Sequence, residues 1–250
     1  PPLSSAASDV YKRQTMNTSW LLMPDREEAE FERRWSDVRG KLLPVLACNG
    51  FIRRKDLRCV GGDASPEAVL EWSETAMRRL RKVGARFMVF GSSGARRLPD
   101  AWPRAKAESQ FVSLLKRMGE IAERNQVTVV VEQLREEECN FINRIDQVAG
   151  LVRRVGHPNV RVLADFYHML CVGDTVEDLS AAMDVVVHTE IAERRGRSYP
   201  GVHGQDFRPF FEVLREAGYR GAVSIEGGGK PAQLGPAIDE IKRQSMEVCR

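Results

Sequence analysis

Apolar residues along this chain follow two alternating patterns: short continuous runs, and longer stretches where they recur every three or four positions. Residues 24–39 are dense in charge, with Phe31, Trp35 and Val38 at helical spacing. Pro24 opens the stretch and Gly40 follows it, which predicts a helix. LLPVLACNGFI predicts a buried strand finishing near Asn49, and TSWLL (18–22) the tail of an earlier strand. Ser65, Pro66 and Glu67 supply an N-cap, a first-turn proline and an early acid for a helix that runs to Ala85; RFMVFGSSG follows as a strand. The alternation continues with helix 104–124, strand 127–134, helix 141–155, strand 161–170, helix 175–182, strand 184–193 and helix 206–218. A strand in YRGAVSIEGGG ending on Glu226 and a helix over 235–248 complete it.

Strands that are apolar on both faces and alternate with helices imply a parallel sheet covered by helices. Seven strands are predicted, one short of a closed (β/α)8 barrel, and 250 residues suit a domain of that size. The opening PPLSSAASDVYKRQ has no period and no signal-peptide core, and DVYKRQ resembles the translation of a sequencing adapter. The expected organisation is therefore a non-native or disordered leader over 1–14 and one domain over 15–250. That domain is an α/β (β/α)8 TIM barrel, N-terminally truncated and lacking its first strand–helix unit.

Composition narrows the function classes. With 42% hydrophobic and 29% charged residues, the chain is neither disordered nor fibrous. A net charge of +3, from 38 basic and 35 acidic residues, argues against a nucleic-acid binder. Five cysteines without a C-x-x-C pair suggest reduced thiols and a cytoplasmic protein. No apolar run approaches membrane-spanning length. A small-molecule partner is the remaining expectation.

The candidate chemistry lies where the strands end. Glu132, Asp165, Glu190 and Glu226 each close an apolar strand, spaced by 33, 25 and 36 residues, about one strand–helix unit apiece. In a barrel such positions share the carboxyl-end mouth. Several buried carboxylates repel one another unless a cation neutralises them, so the pattern points to a divalent metal. Oxygen donors favour Mn2+ or Mg2+, with Co2+ or Zn2+ as alternatives. His168 lies just past Asp165, placed to donate to a substrate oxygen or to support the metal. His188 shares a strand face with Glu190, which makes it a candidate for binding substrate, and it reads equally well as a hydrogen-bonded core residue. Arg194, Arg195 and Arg197 follow in a loop where a guanidinium can bind substrate oxygens, although the first two read as a solvated turn. His157 reads as an inert loop residue, while His203 is within reach of the mouth. GSSG (91–94) and GGGK (227–230) are weak phosphate-cradle signals and ordinary βα turns otherwise.

VVVEQL, ECNFINRIDQVAGLVRRVGHPNVRVLADFYHM, the R-x-x-P-G of Arg197 to Gly201, and GYRGAVSIEGG resemble the sugar phosphate isomerase/epimerase family, which has the xylose isomerase-like barrel. Within that family the chain resembles the branch of D-tagatose 3-epimerase, and the resemblance covers residues 15 to about 230. It implies a divalent ion held by Glu132, Asp165 and Glu226, substrate contacts from His168 and Arg197, and a homodimer. The departure is His188-Thr189-Glu190, where the family commonly has H-x-H: Glu190 aligns with the ligand histidine and His188 with the other one. The expected activity is metal-assisted proton transfer on a ketose or related hydroxy-carbonyl compound, a sugar or sugar phosphate, with Glu132 and Glu226 as the catalytic pair. Alternatives on the same site are isomerisation of a hydroxypyruvate-type substrate, dehydration of an inosose, or sugar binding without catalysis. A DNA-repair endonuclease would need a histidine-rich zinc site that four histidines hardly supply.

Overall fold

The structure is a computed structural model that describes residues 13–248. Its first strand, β1 (Gln14–Asn17), pairs with β2 (Val45–Asn49) in parallel. Most of the expected leader lies outside the described residues. Gln14, its last residue, belongs to the barrel: its backbone N–H donates to Pro44 O at 3.0 Å and its side-chain amide to Leu43 O at 2.9 Å.

TSWLL is not a strand tail. The Asn17 side chain accepts the Trp20 N–H at 3.2 Å, so the chain turns directly from β1 into α1 (Thr18–Leu21). Helix α2 (Glu28–Val38) follows as expected. Arg79, buried in α3 (Pro66–Lys82), clamps the α1–α2 connection by donating to Leu22 O at 3.0 Å and Arg26 O at 2.8 Å and pairing with Glu28. Next come β3 (Phe87–Phe90), the single turn α4 (Ser93–Arg96), α5 (Arg104–Arg124), β4 (Thr128–Glu132) and α6 (Ile145–Val155).

The expected strand 161–170 divides in two: β5 (Val160–Asp165) passes straight into α7 (Phe166–Val172). Its cause is again a cap, because Asp165 Oδ1 accepts the Tyr167 N–H at 2.8 Å. The remaining elements are α8 (Val176–Ala182), β6 (Val186–Ile191), α9 (Arg208–Glu216), β7 (Val223–Ile225) and α10 (Leu234–Glu247).

The seven strands form one parallel sheet in sequence order, and among the described residues no ladder joins β7 back to β1. Strand alternation sorts the apolar residues into two layers. Phe87, Val89, Val130 and Leu163 meet inside the barrel. Met88, Phe90, Val129, Val131, Val162 and Ala164 face outward into the larger core under the helices. A run of aromatic contacts, Phe51 to Phe90 at 5.3 Å, Phe90 to Phe111 at 5.4 Å and Phe111 to Phe141 at 5.8 Å, ties the β2 and β4 loops to α5. Such pairs contribute about 0.5–1.5 kcal/mol beyond their buried area. No helix of the described residues is long and apolar enough to cross a membrane.

Candidate metal centre

Strand register brings the four expected carboxylates together. Glu132 ends β4, Asp165 ends β5 and pairs with Glu190 of β6, and Glu226 follows β7 directly. One oxygen from each lies within 4.8 Å of the others. Glu132, Asp165 and Glu190 are buried, while Glu226 is half-buried.

That arrangement is costly without a counter-charge. Burial, and then the charge of Glu226, pushes the Glu132 carboxyl up to about 8; burial pushes Asp165 up to about 7. Glu190 is raised well above the ordinary range, by burial first and then by its three carboxylate neighbours. Neither Glu190 oxygen has a hydrogen-bond partner, although the residue is fully buried. An orphaned carboxylate facing three others fits a divalent cation, and an all-oxygen donor set fits a hard one.

His168 sits on the first turn of α7, its ring nitrogen Nε2 3.5 Å from both Glu132 Oε1 and Asp165 Oδ2. Its Nδ1 accepts the Arg135 backbone N–H at 3.1 Å. Burial lowers its pKa, so the ring is neutral, and with Nδ1 accepting, the proton resides on Nε2. His168 therefore presents an N–H to the carboxylates and the mouth, which suits a donor to oxygen better than a metal ligand.

Arg197 covers the cluster from the loop after β6. Its Nη2 bonds Glu226 Oε2 and lies 3.3 Å from Asp165 Oδ2; Nε donates to Glu226 O at 3.2 Å and Nη1 reaches Glu138 Oε1 at 3.5 Å. The guanidinium lies 4.7 Å from the Tyr167 ring centre. Arg194 and Arg195 are exposed, as expected of a solvated turn.

His188 is not brought into the cluster. It lies fully buried one pleat earlier on β6, stacked on Phe87 at 5.2 Å, with Nε2 3.3 Å from Ser224 Oγ and 3.9 Å from Glu190 Oε1. Burial lowers its pKa to about 4, so it is a neutral core residue here. His157 packs against Gly119 far from the mouth, and His203 lies near Ser198 Oγ at 3.3 Å.

Three polar residues of the mouth escaped the sequence reading. Asn49 donates to Glu226 Oε1 at 2.9 Å; it ends β2 as the acids end their strands, and the same rule finds it. Glu138 is held by Arg135 at 2.9 Å and faces Arg197. It was hidden in the charged stretch REEEC, which carries no periodic signal. Tyr167 underlies Arg197 and reads as apolar from sequence.

The glycine motifs have packing reasons. A Cβ on Gly91 would stand 2.3 Å from Glu132 Oε2, one on Gly227 2.9 Å from Arg197 O, and one on Gly229 2.5 Å from the Tyr199 ring. GSSG makes room for the Glu132 carboxylate, and GGGK for the Arg197 loop.

Fold and site together define a parallel barrel with a carboxylate-rich centre at the carboxyl ends of its strands. A family model described as xylose isomerase-like TIM barrel matches residues 28–249, and the chain belongs to that family. The putative hydroxypyruvate isomerase of Mus musculus is 26% identical over 141 residues, which cover 53% of this chain and 51% of that protein. This chain thus spans about half the length of the curated relatives it matches, with 46% and 47% of the next two covered. Among solved structures, D-psicose 3-epimerase with D-tagatose from Clostridium cellulolyticum H10 superposes with TM-score 0.75 at 17% identity, over 99% of this chain and 90% of that one. The IOLI protein with a binding zinc atom superposes with TM-score 0.71 at 17% identity, over 99% and 93%. These structural likenesses are likenesses of fold.

Proposed function

We propose that this protein is a divalent-metal-dependent isomerase or epimerase of ketoses or related hydroxy-carbonyl compounds. The observation that carries the reading is the four-carboxylate cluster with the unpartnered, buried oxygens of Glu190 at its heart. Glu132, Asp165, Glu190 and Glu226 would hold the ion, with Mn2+ or Mg2+ preferred by an all-oxygen set. A bound divalent ion supplies polarisation of a carbonyl and its neighbouring hydroxyl, which acidifies the carbon-bound hydrogen between them.

The chain's own groups do the rest. Glu132 takes the carbon-bound proton, and Glu226, from the far side of the ring, returns a solvent-derived proton to the opposite face; Glu132 then releases its proton to solvent, inverting that carbon with no net gain or loss of protons or electrons. The Nε2–H of His168 and the guanidinium of Arg197 hold the substrate oxygens while charge develops on them. Free, mostly buried thiols support a reducing, cytoplasmic setting.

Glu132→Gln and Glu226→Gln should each abolish incorporation of solvent deuterium into substrate, read by NMR on a manganese-loaded protein whose metal content is unchanged. Exchange retained in both variants would refute the pair. A second reading, hydroxypyruvate-type isomerisation, is favoured by the mouse relative. Incubation with D-tagatose, D-fructose and hydroxypyruvate, followed by product analysis, separates the two.

A further inference from the structure

The loop that carries Arg197 is folded around one buried acid outside the metal cluster. Glu193 is fully buried, and its carboxylate accepts four backbone N–H groups. Oε1 takes those of Gly201 at 2.8 Å, Gly204 at 3.1 Å and Gln205 at 3.3 Å; Oε2 takes that of His203 at 2.7 Å. Its own N–H donates to Ser198 O at 2.9 Å. The segment between is tightly turned, with Gly196 at φ 69°, Arg197 at φ 50°, Gly201 at φ 88° and Gly204 at φ 76°. Arg197 O in turn accepts the Gly228 N–H at 2.7 Å, which fastens the loop to the chain just beyond Glu226. Gly201, His203 and Gly204 lie at the surface, so without the buried carboxylate at the centre their N–H groups would turn to water and the loop would lose the contacts that give it this shape. A non-glycine residue in the left-handed region, as Arg197 is, also persists only where its surroundings hold it there.

We infer that Glu193 is the positioning residue of Arg197: its carboxylate shapes the 193–205 loop so that the guanidinium lands on Asp165, Glu226 and Tyr167. The inference rests on the proposal that Arg197 holds substrate oxygens. Both carboxylate oxygens are needed, because an amide offers one acceptor and would turn its NH2 toward the N–H groups it should receive.

The test compares Glu193→Gln, Glu193→Asp and Arg197→Lys, all manganese-loaded. The rate at which phenylglyoxal modifies Arg197, read by peptide mass spectrometry, needs no substrate. It should rise by about tenfold in Glu193→Gln, the worth of roughly one lost charge-assisted hydrogen bond, and fall back toward wild type in Glu193→Asp. Calorimetric titration with D-tagatose should show weaker binding in Glu193→Gln and in Arg197→Lys, and no further loss in the double variant. An unchanged modification rate, additive losses in the double variant, or a lower melting temperature with no rescue by Glu193→Asp would overturn the inference. If wild type binds no D-tagatose, the proposed sugar specificity falls, and the modification rates alone decide the role of Glu193.

Discussion

Two carboxylate oxygens of Glu190 face the barrel mouth with no donor opposite them, in a place where the family resemblance puts an imidazole. A histidine there would be neutral and nitrogen-donating; the glutamate adds charge and makes the set all oxygen. In the metal-free protein this group is a liability, since its ionised form lies buried beside three other acids. Glu190→Gln should therefore raise the metal-free melting temperature while weakening manganese binding by at least about tenfold, on the scale seen when support is removed from a metal ligand. Calorimetry with and without chelator checks both signs, and a variant that binds manganese as tightly as wild type would remove Glu190 from the ligand set. The acids were legible in the sequence because a charge closing an apolar strand is conspicuous. Asn49 closes its strand by the same rule but carries no charge to mark it, and Tyr167 is a mostly apolar ring that leaves the hydrophobic pattern undisturbed. For His188 the shared strand face with Glu190 left two readings open, and its stacking on Phe87 one pleat earlier is a matter of depth that face-sharing does not specify.

At the scale of elements, the order of strands and helices was readable from periodicity, and the junctions were not. TSWLL and FYHML are apolar enough to extend a strand, yet each is a helical turn begun by the residue that ends the strand, Asn17 or Asp165. A side chain that both terminates a strand and caps a helix is a local hydrogen-bonding event, invisible to a hydrophobic pattern. Asp165 thereby spends one oxygen, Oδ1, on the α7 cap and keeps Oδ2 for the centre, where it meets His168 and Arg197. The turn after β3 is equally tied to the site through Gly91. Gly91→Ala places a methyl where the Glu132 carboxylate now sits. It should cost about 1–3 kcal/mol of stability, as overpacking does, and lower manganese affinity as Glu132 is displaced. Denaturant unfolding and metal titration of this variant measure the two effects, and unchanged values for both would show that the β3 loop yields without moving Glu132.

For the whole molecule, the centre couples folding to protons and, under the proposed function, to metal. Glu132 and Asp165 keep their protons up to about 8 and about 7 in the metal-free fold. In the unfolded chain such groups ionise near about 4. The folded state therefore binds more protons across that window, and metal-free stability falls as pH rises through it. His188, neutral down to about 4, acts in the opposite direction, but only below its unfolded value of about 6.5. Between about 6.5 and 8 the carboxylates act alone, so the chelated protein should melt at progressively lower temperature as pH rises. Manganese needs these groups ionised, so the stabilisation it confers should grow over the same interval. Melting curves at several pH values, with EDTA and with manganese, test both trends; a chelated protein that melts higher at pH 8 than at 6.5 would mean that the carboxylates are already ionised.

The hydrogen bond from Asn49 to Glu226 spans from β2 to the end of β7, across the side of the sheet where no backbone ladder runs from β7 to β1. Main-chain pairing arranges the strands in order, but at this seam a side-chain clasp joins the early strands to the last one. Glu226 belongs both to that clasp and to the carboxylate cluster. An ion gripping it would thus work as a rivet, fastening the short, half-buried β7 to strands that cannot reach it through their amides. Stripping such an ion would loosen the seam and leave strand edges open to pairing with another chain. Keeping the centre loaded and keeping the molecule from self-association would then be one requirement.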